Sequence, residues 1–188
     1  AEAALADAQF VLLDYNHAPN LELLKKAHEH AERAVTLGGD LPETHLSLAA
    51  TRQTLWDWAG AEESYGHVLR LNPKLSRAHR WYGGFLLQFG RIDQALAHER
   101  MAMELDPYDF AGQCSYGLYL FYAGKYPEAM EVLERALSQK DLLTGHVVLG
   151  DVNARLAALA SGSEAEVYLK DALRQADTVR LAELLRQA

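Results

Sequence analysis

The chain has one cysteine, few basic residues and no long apolar run, and each shortage closes off a class of protein. With Cys114 as its single cysteine it cannot form an internal disulfide. Lysine and arginine together number 18 against 26 aspartates and glutamates, for a formal net charge of -8 and a pI near 5.4. A protein that grips a phosphate backbone needs a basic face, so nucleic acid is not an expected partner. No apolar stretch approaches the roughly 18 residues that span a bilayer. The start, Ala1-Glu2-Ala3-Ala4, lacks the charged, apolar and cleavage regions of a signal peptide. A cytoplasmic chain without membrane insertion of its own is the expectation, with a membrane-tethered parent protein as the alternative, and 49% hydrophobic with 23% charged residues is enough to build a core.

What is present is a period. Ala27, Ala61, Ala95 and Ala129 are 34 residues apart, and so are Leu71-Asn72-Pro73 and Leu105-Asp106-Pro107, Gly83 and Gly117, Gly90 and Gly124, and His45 and His79. Recurrence across several residue types points to a stack of equivalent units rather than a globule. Small residues at Ala49, Gly83, Gly117 and Gly150, and at the four alanines, allow two helix axes to approach closely. Gly90 and Gly124 suit the left-handed conformation that ends a helix, while Pro73 and Pro107 stop the next one. Asp109 is placed to cap the helix after Pro107, and Pro127 suits a first helical turn.

The units resemble tetratricopeptide repeats, whose pattern over 34 residues is Trp-x2-Leu-Gly-x2-Tyr, Ala-x3-Phe, Pro in two antiparallel helices. His45-x2-Leu48-Ala49 with Ala61-x3-Tyr65 and Pro73 forms one unit. His79-x2-Tyr82-Gly83 with Ala95-x3-Glu99 and Pro107 forms the next, and Gln113-x2-Tyr116-Gly117-x2-Leu120 with Ala129-x3-Leu133 a third. The segments Trp56-Asp57-Trp58-Ala59-Gly60-Ala61-Glu62, Arg77-Ala78-His79-Arg80-Trp81-Tyr82 and Gly90-Arg91 are similar to repeat regions appended to bacterial transcriptional regulators, adenylyl cyclases and protein kinases. The resemblance implies an all-α, right-handed solenoid of about five helix pairs. It divides a single domain into a degenerate repeat at 1–41, typical repeats at 42–75, 76–109 and 110–142, a divergent repeat at 143–176 and a capping helix at 177–188. At the N-terminal end Tyr15 replaces the small residue, and Asn16 to Asn20 make a longer turn. In the divergent repeat Ala165 comes late and Ala160 to Ser163 read as a lengthened loop. Leu181, Leu184 and Leu185 give the terminal helix an apolar stripe.

The resemblance also implies a site, because the first helices of such repeats line a concave groove that takes a peptide or a partner's helix. Carried onto this sequence, the groove holds Leu46, Ala50, Gln53, Thr54, Arg77, Arg80, Trp81, Leu87, Gln88, Cys114, Leu118, Phe121, Tyr122, Asp151 and Arg155. The family's clamp on an acidic C-terminus needs lysine and asparagine where this chain has Leu46, Ala50 and Arg80, so that clamp is incomplete. A second signal converges on the middle of the chain. Between Glu63 and Asp93 there is no carboxylate, while Arg70, Lys74, Arg77, Arg80 and Arg91 all fall there. Arg77 and Arg80 share a helix face, and a guanidinium fork pairs bidentately with carboxylate. Two readings stay open: the pair binds an acidic side chain or C-terminal carboxylate of a peptide, or it is a solvated helix face, with Arg70 and Lys74 complementing a helix C-terminus. The expected role is a non-catalytic interaction scaffold, and the competing one is homo-oligomerisation or a structural module of a larger multidomain bacterial signalling protein.

Catalytic chemistry is not expected. No phosphate-cradling glycine loop or nucleophile elbow is present. His28 and His30 point about 200° apart on a helix, and His45, His79 and His146 fill the place of the family's tryptophan, so they are expected to pack between helices. No metal ligand set and no cofactor is predicted. Cys114 reads as a small packing residue. Two positions break the pattern: Trp56 stands where glycine stands in the next units, at Gly90 and Gly124, and Glu99 stands where an apolar residue is expected.

Overall fold

The structure, a computed structural model, describes residues 21–38 and 40–187, with side chains up to residue 180. Tyr15, the turn at 16–20 and the side chains of Leu181, Leu184 and Leu185 lie outside the described residues. Within them the chain forms nine helices and no strand. These are α1 (Leu21–Gly38), α2 (Pro42–Thr54), α3 (Trp58–Leu71), α4 (Ser76–Gln88), α5 (Ile92–Leu105), α6 (Phe110–Tyr122), α7 (Tyr126–Gln139), α8 (Leu143–Leu159) and α9 (Ser163–Gln187).

The turns are built as the glycines dictate. Gly90 has φ 67° and Gly124 φ 74°, and after each the chain closes with the same hydrogen bond, Arg91 N–H to Leu86 O and Lys125 N–H to Leu120 O. This six-to-one bond, running from beyond the helix end back to its last turn, satisfies carbonyls that the helix leaves open. At the other helix ends, Asp57 and Asp109 cap α3 and α6. The carboxylate of each accepts from the N–H three residues on, Gly60 and Gly112, at 3.0 Å. A Cβ on Gly60 would stand 2.1 Å from Asp57 Oδ2, so only glycine admits the cap in this geometry.

Two expectations at the C-terminal end are corrected. The connection after α8 is not lengthened: 160–162 is three residues, as are 55–57, 89–91 and 123–125. The extra residues lengthen the helix itself, α8 having 17 residues where α2, α4 and α6 have 13. Alanine, arginine and leucine between Ala154 and Leu159 are strong helix formers, and Gly162 at φ 62° takes the turn position one helical turn later. Nor is 177–188 a separate capping helix. From Ser163 to Gln187 α9 is continuous over 25 residues, there being no glycine or proline to interrupt it.

The described residues divide into two compact units, one up to Phe85 and one from Leu86 on, where the sequence predicts one domain. In the first, α2 packs against both α1 and α3, with Ala27, Ala31, Ala49 and Ala61 at zero exposure on the contact faces. In the second, α5 packs on α6, α6 on α7, α7 on α8 and α8 on α9, and the first helices α6 and α8 also touch. Ala95, Ala129 and Ala136 are fully buried there, as is Glu99, whose Oε1 lies 3.5 Å from the position that a Cβ on Gly112 would take.

The histidines at the first-helix position do more than pack. His79 Nε2 donates to Pro73 O at 3.0 Å, and Gln113 Nε2, one period later, donates to Pro107 O at 2.9 Å. His146 Nε2 pairs with Asp141 at 2.6 Å. Each ties the preceding loop to the helix that follows it.

Candidate functional site

In the first unit the structure separates the predicted groove residues by burial. Leu46 and Ala50 are buried, at 0% and 2% exposure, because α2 is covered on two sides by α1 and α3. They belong to the core and cannot present side chains to a ligand, which corrects the groove assignment at both positions. Gln53 is half-buried and its Oε1 accepts from the Tyr65 hydroxyl at 2.7 Å. Burial holds that phenol well above the ordinary tyrosine range, so it remains a donor. Thr54 is exposed, with its hydroxyl donating to Ala50 O at 3.0 Å. On α4, Arg77, Arg80 and Trp81 are half-buried, and the Arg77 guanidinium carbon lies 5.1 Å from the Trp81 ring centroid. That cation–π contact orders the arginine.

Trp56 is the residue that the sequence marked as irregular without showing why. It adopts φ 67°, matching Gly90 and Gly124, and the turn closes with Asp57 N–H to Arg52 O at 2.9 Å, the same six-to-one bond. The helix-ending turn imposes a left-handed residue here, and tryptophan bears a steric cost that glycine avoids. Its ring is 75% exposed and meets the Trp58 ring edge-on at 5.1 Å. Trp56→Gly is expected to stabilise the chain by about 0.5–1 kcal/mol, the relief of left-handed strain exceeding the entropy cost of glycine. Equilibrium urea unfolding measures it, and a destabilised variant would show that the Trp56–Trp58 contact outweighs the strain. A strained, exposed aromatic is a candidate contact residue.

In the second unit, Leu87, Gln88 and Tyr122 come together around a depression of 390 Å³, with Gly90 and Ile92 completing its lining. Tyr122 is 55% exposed there. Phe121 is half-buried, 5.6 Å from both the Tyr122 and Tyr126 rings, and Leu118 is half-buried on the same helix. Cys114 is not on a groove face. It is 3% exposed because α6 is covered by α5, α7 and α8, and burial pushes its thiol up and away from reactivity. Asp151 and Arg155 are exposed on α8, with Arg155 Nε donating to the Tyr126 hydroxyl at 3.4 Å. Asp151 lines a second depression, of 490 Å³, between α8 and α9 with Val147, Leu169 and Leu173.

A cluster that no sequence motif announces lies in the first unit. Asp40 Oδ1 stands 3.3 Å from His45 Nε2 and 3.3 Å from His67 Nε2. The two imidazoles meet edge to face, with centroids 4.4 Å apart. Burial, followed by the neighbouring His67, lowers the basicity of His45. The hydrogen bond with His67 holds the Asp40 carboxyl below its ordinary range. The spacings 40, 45 and 67 form no local motif, and α2 and α3 had to pack before the three met.

Residues 51–110 match the tetratricopeptide repeat family. Among solved structures, MamA from Desulfovibrio magneticus RS-1, from residue 41 to its end, is similar with a TM-score of 0.71 at 18% identity, covering 100% of this chain and 98% of that one. A thermophilic TPR protein of Thermus thermophilus gives 0.69 at 21% identity, covering 98% of this chain and 99% of that one. YrrB, a TPR protein with an unusual peptide-binding site, gives 0.65 at 17% identity, covering 95% and 89%. At these identities the structures speak to fold, and the match at 51–110 speaks to sequence. Together they make residues 51–110 tetratricopeptide-repeat sequence and give the chain a fold of the all-α helical-repeat class.

Proposed function

We propose that the chain is a non-catalytic scaffold that binds a protein or peptide partner on its first-helix faces, with an acidic segment as the ligand. One observation carries this reading. In the carboxylate-free interval between Glu63 and Asp93, Arg77 and Arg80 lie one turn apart on α4, and Arg77 is held over Trp81. Such an arrangement favours a carboxylate, which a guanidinium fork pairs with bidentately. The apolar depression at Leu87, Gln88 and Tyr122 supplies a separate contact for a hydrophobic side chain. The peptide-binding site in the name of YrrB lends the reading support by fold alone. Among the described residues no helix is long and apolar enough to cross a membrane.

Fluorescence anisotropy with a labelled acidic peptide and a neutral one of equal length tests the proposal. The acidic peptide is expected to bind more tightly and to lose affinity with added salt. Arg77→Ala combined with Arg80→Ala is expected to weaken it about tenfold, equivalent to about 1.4 kcal/mol. Unchanged affinity in that double variant rejects the arginine site. Light scattering across concentrations, run in parallel, separates a monomeric receptor from a self-assembling module.

A further inference from the structure

Outside the proposed peptide faces, we infer that Asp40, His45 and His67 form a binding site for a divalent transition-metal ion of the zinc type. The donors come from three places, the connection before α2, the first turns of α2 and the C-terminal half of α3, and all three donor atoms lie within 4.8 Å of one another. Their spacing fits an ion, although His67 Nε2 is also within hydrogen-bond reach of Asp40 Oδ1. A tetrahedral ion with bonds of about 2.0–2.1 Å separates its ligand atoms by roughly 3.3–3.4 Å. Both Nε2-to-Oδ1 distances are 3.3 Å, whereas an imidazole–carboxylate hydrogen bond closes to about 2.7–2.9 Å. One of the two nitrogens is in addition unsatisfied. His45 Nε2 is buried from solvent and has no hydrogen-bond partner, although it faces the carboxylate.

Two imidazoles and one carboxylate are a borderline donor set that zinc, cobalt and nickel accept, and that calcium and magnesium, which want oxygen, do not. The Asp40 side chain is 73% exposed and that of His67 31%, so an ion can enter and keep water in its fourth position. One neighbour opposes the site. Arg70 Nη2 lies 3.4 Å from His67 Nδ1, the ring nitrogen that carries the proton when Nε2 binds a metal. Arg70 is exposed and must turn outward. Removing it therefore has a sign that a purely structural role for the cluster does not predict.

Isothermal titration calorimetry of the intact chain with ZnCl₂ is the test. Wild type is expected to bind one equivalent saturably and to melt at a higher temperature in its presence. Asp40→Asn and His67→Gln are each expected to weaken binding about tenfold or more, with helical circular dichroism unchanged. Arg70→Ala is expected to tighten it, and His30→Gln, outside the cluster, to leave it unchanged. The inference is overturned if wild type shows no saturable binding, or if Asp40→Asn and His67→Gln bind zinc as wild type does.

Discussion

Replacing Gly117 with valine is expected to destabilise the second unit by about 3 kcal/mol, the upper part of the range for overpacking a tight core. A Cβ at this position would lie 2.6 Å from Leu133 Cγ, 2.7 Å from Cδ2 and 3.1 Å from Cδ1, against an ordinary carbon–carbon contact of about 3.5–4.0 Å. Leu133 cannot yield, because it has zero exposure on α7 and is enclosed on every side. Valine does gain a few tenths of a kcal/mol in helix propensity over glycine, far less than the steric cost. Chemical denaturation of wild type and variant gives the difference. The specific signature is suppression. Leu133→Ala alone is expected to cost about 2–5 kcal/mol through the cavity it leaves, while the double variant, with valine methyls filling that cavity, should lose clearly less than the sum of the two. Additive losses would show that the two side chains do not share the space.

Tyr65→Ala is expected to cost about 3–5 kcal/mol, the range for truncating a large buried aromatic. Tyr65 is 1% exposed on α3 and stacks on Tyr82 at 5.4 Å and packs at 5.7 Å from Phe85, so it is one of the side chains through which α4 is fastened to α3. Tyr65→Phe separates the ring from the hydroxyl. It is expected to cost about 1 kcal/mol, the net worth of one hydrogen bond, here the 2.7 Å bond to Gln53 Oε1. The two variants also bear on binding. Gln53 is half-buried at the end of α2 and held by Tyr65, so freeing it in Tyr65→Phe alters a predicted contact residue without removing it. Thermal unfolding followed by circular dichroism ranks the two. Equal losses from both would mean that the hydroxyl, not the ring, does the fastening.

The tandem appearance of Gly90 and Trp56 shows how far a sequence can be read. Because helix propensity, capping and left-handed glycine are local, the 34-residue period alone determined where helices start and stop: first helices open at Pro42, Ser76, Phe110 and Leu143, Asp109 caps α6, and Pro127 lies in the first turn of α7. Local reading failed where a local signal competes with another. Glycine at 162 and a run of helix formers before it can be satisfied by a longer loop or a longer helix, and the structure takes the longer helix.

Which residues face a ligand is a different question, since it depends on how many neighbours cover each helix. Family geometry placed Leu46, Ala50 and Cys114 on a groove, yet α2 and α6 are flanked closely enough to bury all three, while Thr54, Gln88 and Tyr122 stay exposed. Trp56 could be recognised as a departure from glycine, but only the closed turn revealed that it carries left-handed strain. The sequence by itself thus determined the repeat, its turns and the basic interval around Arg77 and Arg80, all of which depend on residues near one another in the chain. Only the tertiary structure decided the burial of the groove positions and the meeting of Asp40, His45 and His67, because those depend on the packing of separate helices, where no spacing in the sequence records the distance.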